Sequence, residues 1–481
     1  MALADRQILT QNPWWTTPSW EAGDPHLALL ESQPMRLEAD FVATIDLGRP
    51  GIHVLRGPRQ VGKSTDLKLL VARALSAGLQ PRRILYLALD LLEGRHLSEL
   101  AETVERGRDL SGASEPGLIL LDEVTTVRGW QTAVKALWDQ GTIRGDVVVC
   151  TGSSAIDLQR GAVERLPGRR GAGTDHLVLP QSFAAFARAV DGTIPASPRL
   201  TVADLVGDGG AGLLREMRLH GPALEDALRR YLRFGGLPAV VAEAVSGAPE
   251  PSPEVMRVVR DSLLRELQRR GASVPAAQAL LERVVRSLGS KISWSAMARE
   301  MDVPLGRGSG PSSHQTVRDY IELLASGYFL FVAYFWRSGS QTNEQSREKK
   351  VFFADPLLHS IALQNAPGLV LDEAALIENA IGLALLRRYE PPERLIETFV
   401  LPERLHIWQT ARGGEIDFVC GPRRALDVVE VKYRANPGTS PASAAARAHP
   451  GRPVVMATRD LLRHEERYSL VPAHLLLWAL G

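Results

Sequence analysis

Cysteine occurs only twice in 481 residues, at Cys150 and Cys420. Two cysteines exclude a disulfide framework and a cysteine-ligated zinc site, and they suit a reducing compartment. Net charge is nearly absent as well: 56 basic against 55 acidic side chains leave +1. This balance excludes wholesale wrapping of a polyanion and confines any nucleic-acid contact to a local patch. No apolar run approaches the ~18 residues of a membrane-spanning helix. The opening MALADRQILTQNPWW has no basic stretch followed by an apolar core, so the expected location is the cytoplasm and no membrane partner is expected. What is present is 45% hydrophobic residues, punctuated by 42 glycines and 31 prolines, enough for several buried cores.

The most specific stretch is GIHVLRGPRQVGKSTDLKLLVARAL. An apolar strand from Ile52 to Leu55 runs into Gly57, Pro58, Arg59, Gln60, Val61, Gly62, Lys63, Ser64 and Thr65, and a helical pattern follows at Leu67, Leu70, Val71 and Leu75. Strand, glycine-rich loop and helix in that order predict a phosphate cradle. Glycines let backbone N–H groups curl around phosphates at a helix N-terminus, Lys63 reaches the outer phosphates, and the Ser64 hydroxyl ligates magnesium.

A site of this kind needs a second strand with a metal-side carboxylate, and GLILLDEV supplies it. Asp122 is expected to hold magnesium through water, and Glu123 to orient or deprotonate the attacking water. RILYLALD and DVVVCTGSS read as further buried parallel strands. Two readings stand for Thr151 and Ser153 at the end of the latter: contact with the terminal phosphate or its water, or helix capping. Two also stand for Arg165, Arg169 and Arg170 in the glycine-rich RLPGRRGAG. They complete a neighbouring subunit's ATP site or form solvated surface. YLRFGGLPAV, with Gly235, Gly236, Leu237 and Pro238, marks a tight turn between two helices.

Taken in order, NPWW, RGPRQVGKST, LILLDEV, CTGSS, LPGRRG, QSF and GGLP resemble prokaryotic AAA-type ATPases related to the archaeal ATPase family, in which a C-terminal domain of unknown function commonly follows. The resemblance spans nearly the whole chain. It implies an α/β fold: a P-loop, AAA-like doubly wound parallel sheet, a helical lid holding the glycine–proline motif, a winged helix, and a C-terminal mixed α/β nuclease-like domain. The corresponding boundaries are 1–195 for the ATPase domain, 196–253 for the lid, 254–340 for the winged helix-turn-helix and 341–481 for the last domain.

Between 254 and 340 the pattern is helix, short strand at Ile292, helix, loop, helix from near His314, then an apolar strand. As a winged helix it presents Gln315 and Arg318 to a DNA groove, or else it is a protein interface. Farther on, ALIENAIGLALLRRY is a helix bearing Glu378, LHIWQTARGGEIDFV is a hairpin carrying Glu415 and Asp417, and ALDVVEVKY brings Glu430 and Lys432. Helix carboxylate, strand aspartate and E-V-K resemble the active-site signature of restriction-endonuclease-like nucleases. That resemblance implies a divalent metal on Glu378, Asp417 and Glu430, with Lys432 positioning water or offsetting phosphate charge. The bland alternative is a surface ion pair between Glu430 and Lys432. Arg423, Arg424, Arg434 and Arg447 add positive charge suited to phosphate or to solubility.

The expected protein is thus an ATP- and magnesium-dependent ATPase, a homo-oligomer, coupled to a DNA-directed C-terminal module. Two alternatives accompany it: an ATP-driven switch whose last domain only binds partners, and a DNA motor without cleavage.

Overall fold

In a computed structural model the described residues are 2–31, 40–90, 96–152, 170–269, 271–301, 313–336, 344–364, 366, 368–391, 399, 401–409, 415–422 and 424–481. The chain divides into two compact units, Met1–Leu179 and Pro180–Gly481. No helix among the described residues is long and apolar enough to cross a membrane.

The first unit is built on a five-stranded sheet of β1 (Gly51–Arg56), β2 (Ile84–Ala88), β3 (Leu118–Asp122), β4 (Val147–Gly152) and β5 (Asp175–Leu177). Its order is β2-β3-β4-β1-β5 and every pairing is parallel. Parallel strands need crossovers that cover both faces, which is why β1 to β4 read as almost unbroken apolar runs. The crossover helices are Lys63–Ser76, Leu97–Ser111 and Trp130–Asp139. Because the strands are parallel, the loops after β1, β3 and β4 all open at one edge of the sheet, where ligands of such sheets bind.

β2 is an outer strand, and its exposed edge is capped by side chains of the N-terminal segment rather than by another strand. Asn12 donates to the Tyr86 carbonyl at 2.9 Å and accepts from the Tyr86 N–H at 2.7 Å. Both indole N–H groups of Trp14 and Trp15 donate to the Ile84 carbonyl, and Gln11 accepts from Ala88 N–H. Polar and aromatic side chains thus satisfy backbone groups that a bare edge leaves open.

The second unit carries an eight-stranded mixed sheet: β6 (Leu330–Phe335), β7 (Glu344–Phe353), β8 (Leu405–Gln409), β9 (Glu415–Cys420), β10 (Asp427–Val431), β11 (Val454–Thr458), β12 (Arg463–His464) and β13 (Ser469–Pro472), in the order β12-β13-β11-β10-β9-β8-β6-β7. The hairpin β6–β7 straddles the boundary expected at 340/341. Both strands belong to this sheet, since β6 pairs with β8 as well as with β7. The helices expected before it are Pro253–Arg269, Val274–Arg286, Trp294–Arg299 and His314–Ser326, and Ile292 forms an isolated bridge to Lys349 of β7. The apolar strand expected after the last helix is thus β6 of the large sheet, and Ile292 touches that sheet's outer strand β7. On the helix His314–Ser326, Arg318 pairs with Glu322 and Gln315 with Asp319, each one turn along the same helix.

The motifs QSF and GGLP meet within this unit. Gln181 N–H donates to the Gly236 carbonyl at 2.7 Å, while the Asp355 carboxylate accepts from Gly236 N–H and Leu357 N–H. Glycine is required at both positions: a Cβ on Gly235 would lie 1.9 Å from Asp355 Oδ1, and one on Gly236 2.1 Å from the Gln181 carbonyl.

Candidate functional site

The loop leaving β1 turns at Gly57, where a Cβ would sit 2.1 Å from the Val178 carbonyl, and enters the helix Lys63–Ser76 through Gly62 at φ 100°. That helix has no side-chain cap, an arrangement in which the first N–H groups of a helix can receive an anion. Lys63 is buried and its ammonium donates to the Gly57 and Pro58 carbonyls at 3.0 and 2.9 Å, with Glu123 Oε1 4.0 Å away. Arg59, Ser64 and Thr65 are half-buried, Val61 is buried, and Gln60 is exposed at φ 65°.

Asp122 ends β3 with both carboxylate oxygens engaged. Oδ2 accepts from the Tyr86 hydroxyl at 2.7 Å and Oδ1 from the Thr151 hydroxyl at 2.5 Å. The Thr151 oxygen in turn accepts the Glu123 N–H at 2.8 Å. Thr151 is fully buried, so its hydroxyl ties the acidic pair together instead of facing a phosphate. Glu123 adopts the left-handed conformation at φ 52°, and its Oε2 is buried without a hydrogen-bond partner among the described residues. Glutamate rarely adopts that backbone geometry, and such strain collects at functional positions.

Behind Asp122 stands a group that motif reading passed over. The Lys68 ammonium lies 3.7 Å from the Tyr86 ring centre and 5.1 Å from that of Trp14, with Asp24 at 3.5 Å. Burial lowers the Lys68 ammonium's pKa and Asp24 partly restores it; burial and the neighbouring Asp122 hold the Tyr86 phenol far above its usual range. The available signal was the NPWW stretch, which supplies Trp14 and, through Asn12, anchors the Tyr86 backbone.

Ser153, Arg165 and Arg169 lie outside the described residues. Arg170 pairs at 2.8 Å with Asp175 of β5, and the backbone around it runs so close to β1 that a Cβ on Gly51 would meet Gly173 N at 2.3 Å. The same closeness explains Gly171 and Gly173, where a Cβ would lie 2.5 Å from the Pro50 carbonyl oxygen and 2.1 Å from that of Ile52.

In the second unit, the residues expected to form the nuclease-like site do converge. Glu378 stands on the helix Glu373–Tyr389, Glu415 and Asp417 on β9, Glu430 on β10, and Lys432 just beyond it. Lys432 Nζ lies 2.6 Å from Glu430 Oε1 and 3.6 Å from Asp417 Oδ2, which also accepts Val431 N–H at 2.8 Å. Glu430 Oε2 is buried without a hydrogen-bond partner among the described residues. Burial raises the pKa of Glu378 and of Glu430, and the Asp417 charge raises both further.

The unexpected member is Lys350 of β7. Its ammonium lies 2.7 Å from Glu378 Oε1, 2.6 Å from Glu415 Oε1 and 3.1 Å from Asp417 Oδ1, with the side chain 2% exposed. Burial lowers this ammonium's pKa, and Glu378, Asp417 and Glu415 more than reverse the effect. The sequence signal was the pair Lys349–Lys350 leading straight into the apolar Val351–Phe352–Phe353.

The two metal expectations fare differently. In the first unit a hydroxyl at the start of the helix and the Asp122 carboxylate, each of whose oxygens has a remaining lone pair, suit a hydrated magnesium ion. In the second unit the arrangement does not fit a divalent cation. Among the described residues no three His, Cys, Asp or Glu side chains are placed to hold a metal ion, and a lysine ammonium stands between the carboxylates.

Residues 49–187 match a family described as an AAA domain, and residues 225–367 match a domain of unknown function (DUF8612). The first unit thus carries a P-loop AAA-type domain. An uncharacterized protein of Haemophilus influenzae is 24% identical over 343 residues, covering 70% of this chain and 74% of its own. Among solved structures, the Walker-type ATPase of Pyrococcus abyssi is similar at 16% identity and a TM-score of 0.37, covering 67% of this chain and 93% of its own. The Aeropyrum pernix ORC1 protein in complex with DNA is also 16% identical, with a TM-score of 0.30 and coverage of 75% and 96%.

Proposed function

We propose that the first unit binds and hydrolyses ATP and that the second is a DNA-directed module governed by that cycle. The observation that carries the ATPase reading is Glu123: a carboxylate held at φ 52°, with Oε2 buried and without a hydrogen-bond partner among the described residues, and Oε1 4.0 Å from the Lys63 ammonium. An acid placed so, beside the phosphate-loop lysine and with an oxygen to spare, suits an attacking water.

In this reading the N–H groups around Gly62 to Thr65 receive the outer phosphates, and Lys63 exchanges the Gly57 and Pro58 carbonyls for phosphate oxygens. Glu123 orients the water and takes its proton. Thr151 keeps the Glu123 backbone in place. Magnesium, carried in with the nucleotide, neutralises phosphate charge, and Ser64 and Asp122 are the residues that would hold it.

The test is turnover of MgATP by the full chain. Lys63→Ala should weaken nucleotide binding and abolish turnover. Glu123→Gln should retain binding and lose turnover by ~10²- to 10⁴-fold, the usual contribution of a general base. Normal turnover by Glu123→Gln would remove the base assignment.

The DNA-directed reading of the second unit rests on the order of Glu378, Asp417, Glu430 and Lys432 and on the exposed Arg424, Arg434 and Arg447. Retention of duplex or single-stranded DNA by the full chain, lost with added salt and weakened by charge reversal of those arginines, tests it. Assembly as a homo-oligomer is part of the proposal, and Arg170 serves a neighbour only where its pair with Asp175 opens. Turnover per subunit that rises with protein concentration is the corresponding readout.

A further inference from the structure

The carboxylates of the second unit come from different elements: Glu378 from a helix, and Glu415 and Asp417 from β9. All three turn an oxygen to one ammonium. A lysine ammonium has three N–H donors and no acceptor. Here two donors go to Glu378 Oε1 and Asp417 Oδ1 at 2.7 and 3.1 Å, and Glu415 Oε1 pairs with the same ammonium as an ion pair at 2.6 Å. The side chain is 2% exposed, which leaves it no solvent to turn towards.

Nor is Lys350 a mobile lysine at the end of a loop. It pairs with Ala333 in the β6–β7 ladder, and the strand continues through the buried Val351, Phe352 and Phe353. The opposite side of Asp417 is taken as well, since Oδ2 accepts Val431 N–H and lies beside the Lys432 ammonium. A divalent cation seated among these oxygens would have to displace a tethered, buried ammonium and meet its positive charge at close range.

We propose that Lys350 is a built-in cation standing where a metal ion would otherwise neutralise this cluster, so that the second unit takes up no divalent cation and does not cut phosphodiesters by metal-activated water. The cluster then acts as a rigid joint between β7, β9 and the helix Glu373–Tyr389, and the face above it is left for binding. Without that ammonium the oxygens of Glu378, Glu415 and Asp417 would face one space, with Lys291 still beside Glu415 at 3.2 Å and Lys432 beside Asp417 at 3.6 Å. This inference is independent of whether the first unit hydrolyses ATP.

The experiment titrates Mn²⁺ into the nucleotide-free full chain by calorimetry, for the unaltered protein, Glu378→Gln, Lys350→Met and the double variant Lys350→Met/Glu378→Gln. Met keeps the length of the lysine stem and removes the charge. The expected result is no Glu378-dependent binding by the unaltered protein at millimolar Mn²⁺, a new saturable site in Lys350→Met, and its loss in the double variant. Saturable binding by the unaltered protein that Glu378→Gln abolishes would overturn the proposal. A folded Lys350→Met protein that gains no site would overturn it equally. If Lys350→Met does not fold, the comparison of the unaltered protein with Glu378→Gln decides alone: binding lost in the variant overturns the proposal, and the same absence of binding in both supports it.

Discussion

At the scale of single residues, Tyr86 shows how a side chain outside every motif conditions one inside. Its phenol and the Thr151 hydroxyl are the two donors to the Asp122 carboxylate among the described residues. Tyr86→Phe keeps the ring beneath Lys68 and removes only that donor. Hydrogen bonds to charged groups contribute about 1.5–3 kcal/mol, so turnover should fall about tenfold or more. Nucleotide affinity should hold while the magnesium concentration for half-maximal turnover rises, because the lesion lies on the carboxylate and not on the phosphate loop. Steady-state kinetics at varied magnesium, together with nucleotide binding, checks this. Unchanged kcat and magnesium dependence would reduce Tyr86 to a packing role.

At the scale of elements, the outer strand β2 depends on the segment that covers it. Asn12 is 1% exposed and satisfies both backbone groups of Tyr86. Asn12→Ala leaves one N–H and one C=O buried without partners, at about 1–3 kcal/mol each. We expect a loss of about 2–6 kcal/mol in urea unfolding on the same per-group cost. Asn12→Asp should lose at least as much, since it keeps an acceptor for Tyr86 N–H but sets a buried carboxylate against the Ile8 and Tyr86 carbonyls. A loss below about 1 kcal/mol for Asn12→Ala would show that shape and not hydrogen bonding decides. The GGLP turn illustrates the opposite dependence: its glycines answer to Asp355 and Gln181, far away in sequence, so the motif is legible as a turn while its reason is not.

At the scale of the whole molecule, buried carboxyl groups of the second unit give its stability a pH dependence. Burial pushes Asp355 up to about 6 and Glu390 up to about 7, from ordinary values of 3.8 and 4.5. A carboxyl raised on folding contributes stability that is full below its unfolded pKa and is lost as pH rises through its folded pKa. His359 works the other way: burial lowers it to about 4 from 6.5, so its contribution is lost as pH falls. A single-group comparison separates these effects. Measured against Glu390→Gln, which does not titrate, the unaltered protein should lose relative stability between about pH 4.5 and 7. Thermal unfolding of both proteins across that range is the measurement. A constant difference would show that Glu390 keeps its ordinary pKa in the folded chain.

What the sequence determined by itself is whatever depends on neighbours along the chain. The phosphate loop, the acidic pair after an apolar strand, the buried parallel strands and the E-V-K strand are all written in runs of fewer than a dozen residues. A strand's period and a glycine turn need no tertiary information. Tertiary structure decided which of these runs lie side by side, and with that the partners of each polar group. It placed Thr151 on Asp122 and brought Tyr86 under Lys68. It built the β6–β7 hairpin into the larger sheet, and it carried Lys350 of β7 to Glu378 and Asp417, 28 and 67 residues away along the chain. The physical reason is that a buried charge must find its counter-charge wherever the fold puts one, and strand order, which local sequence does not specify, sets where that is.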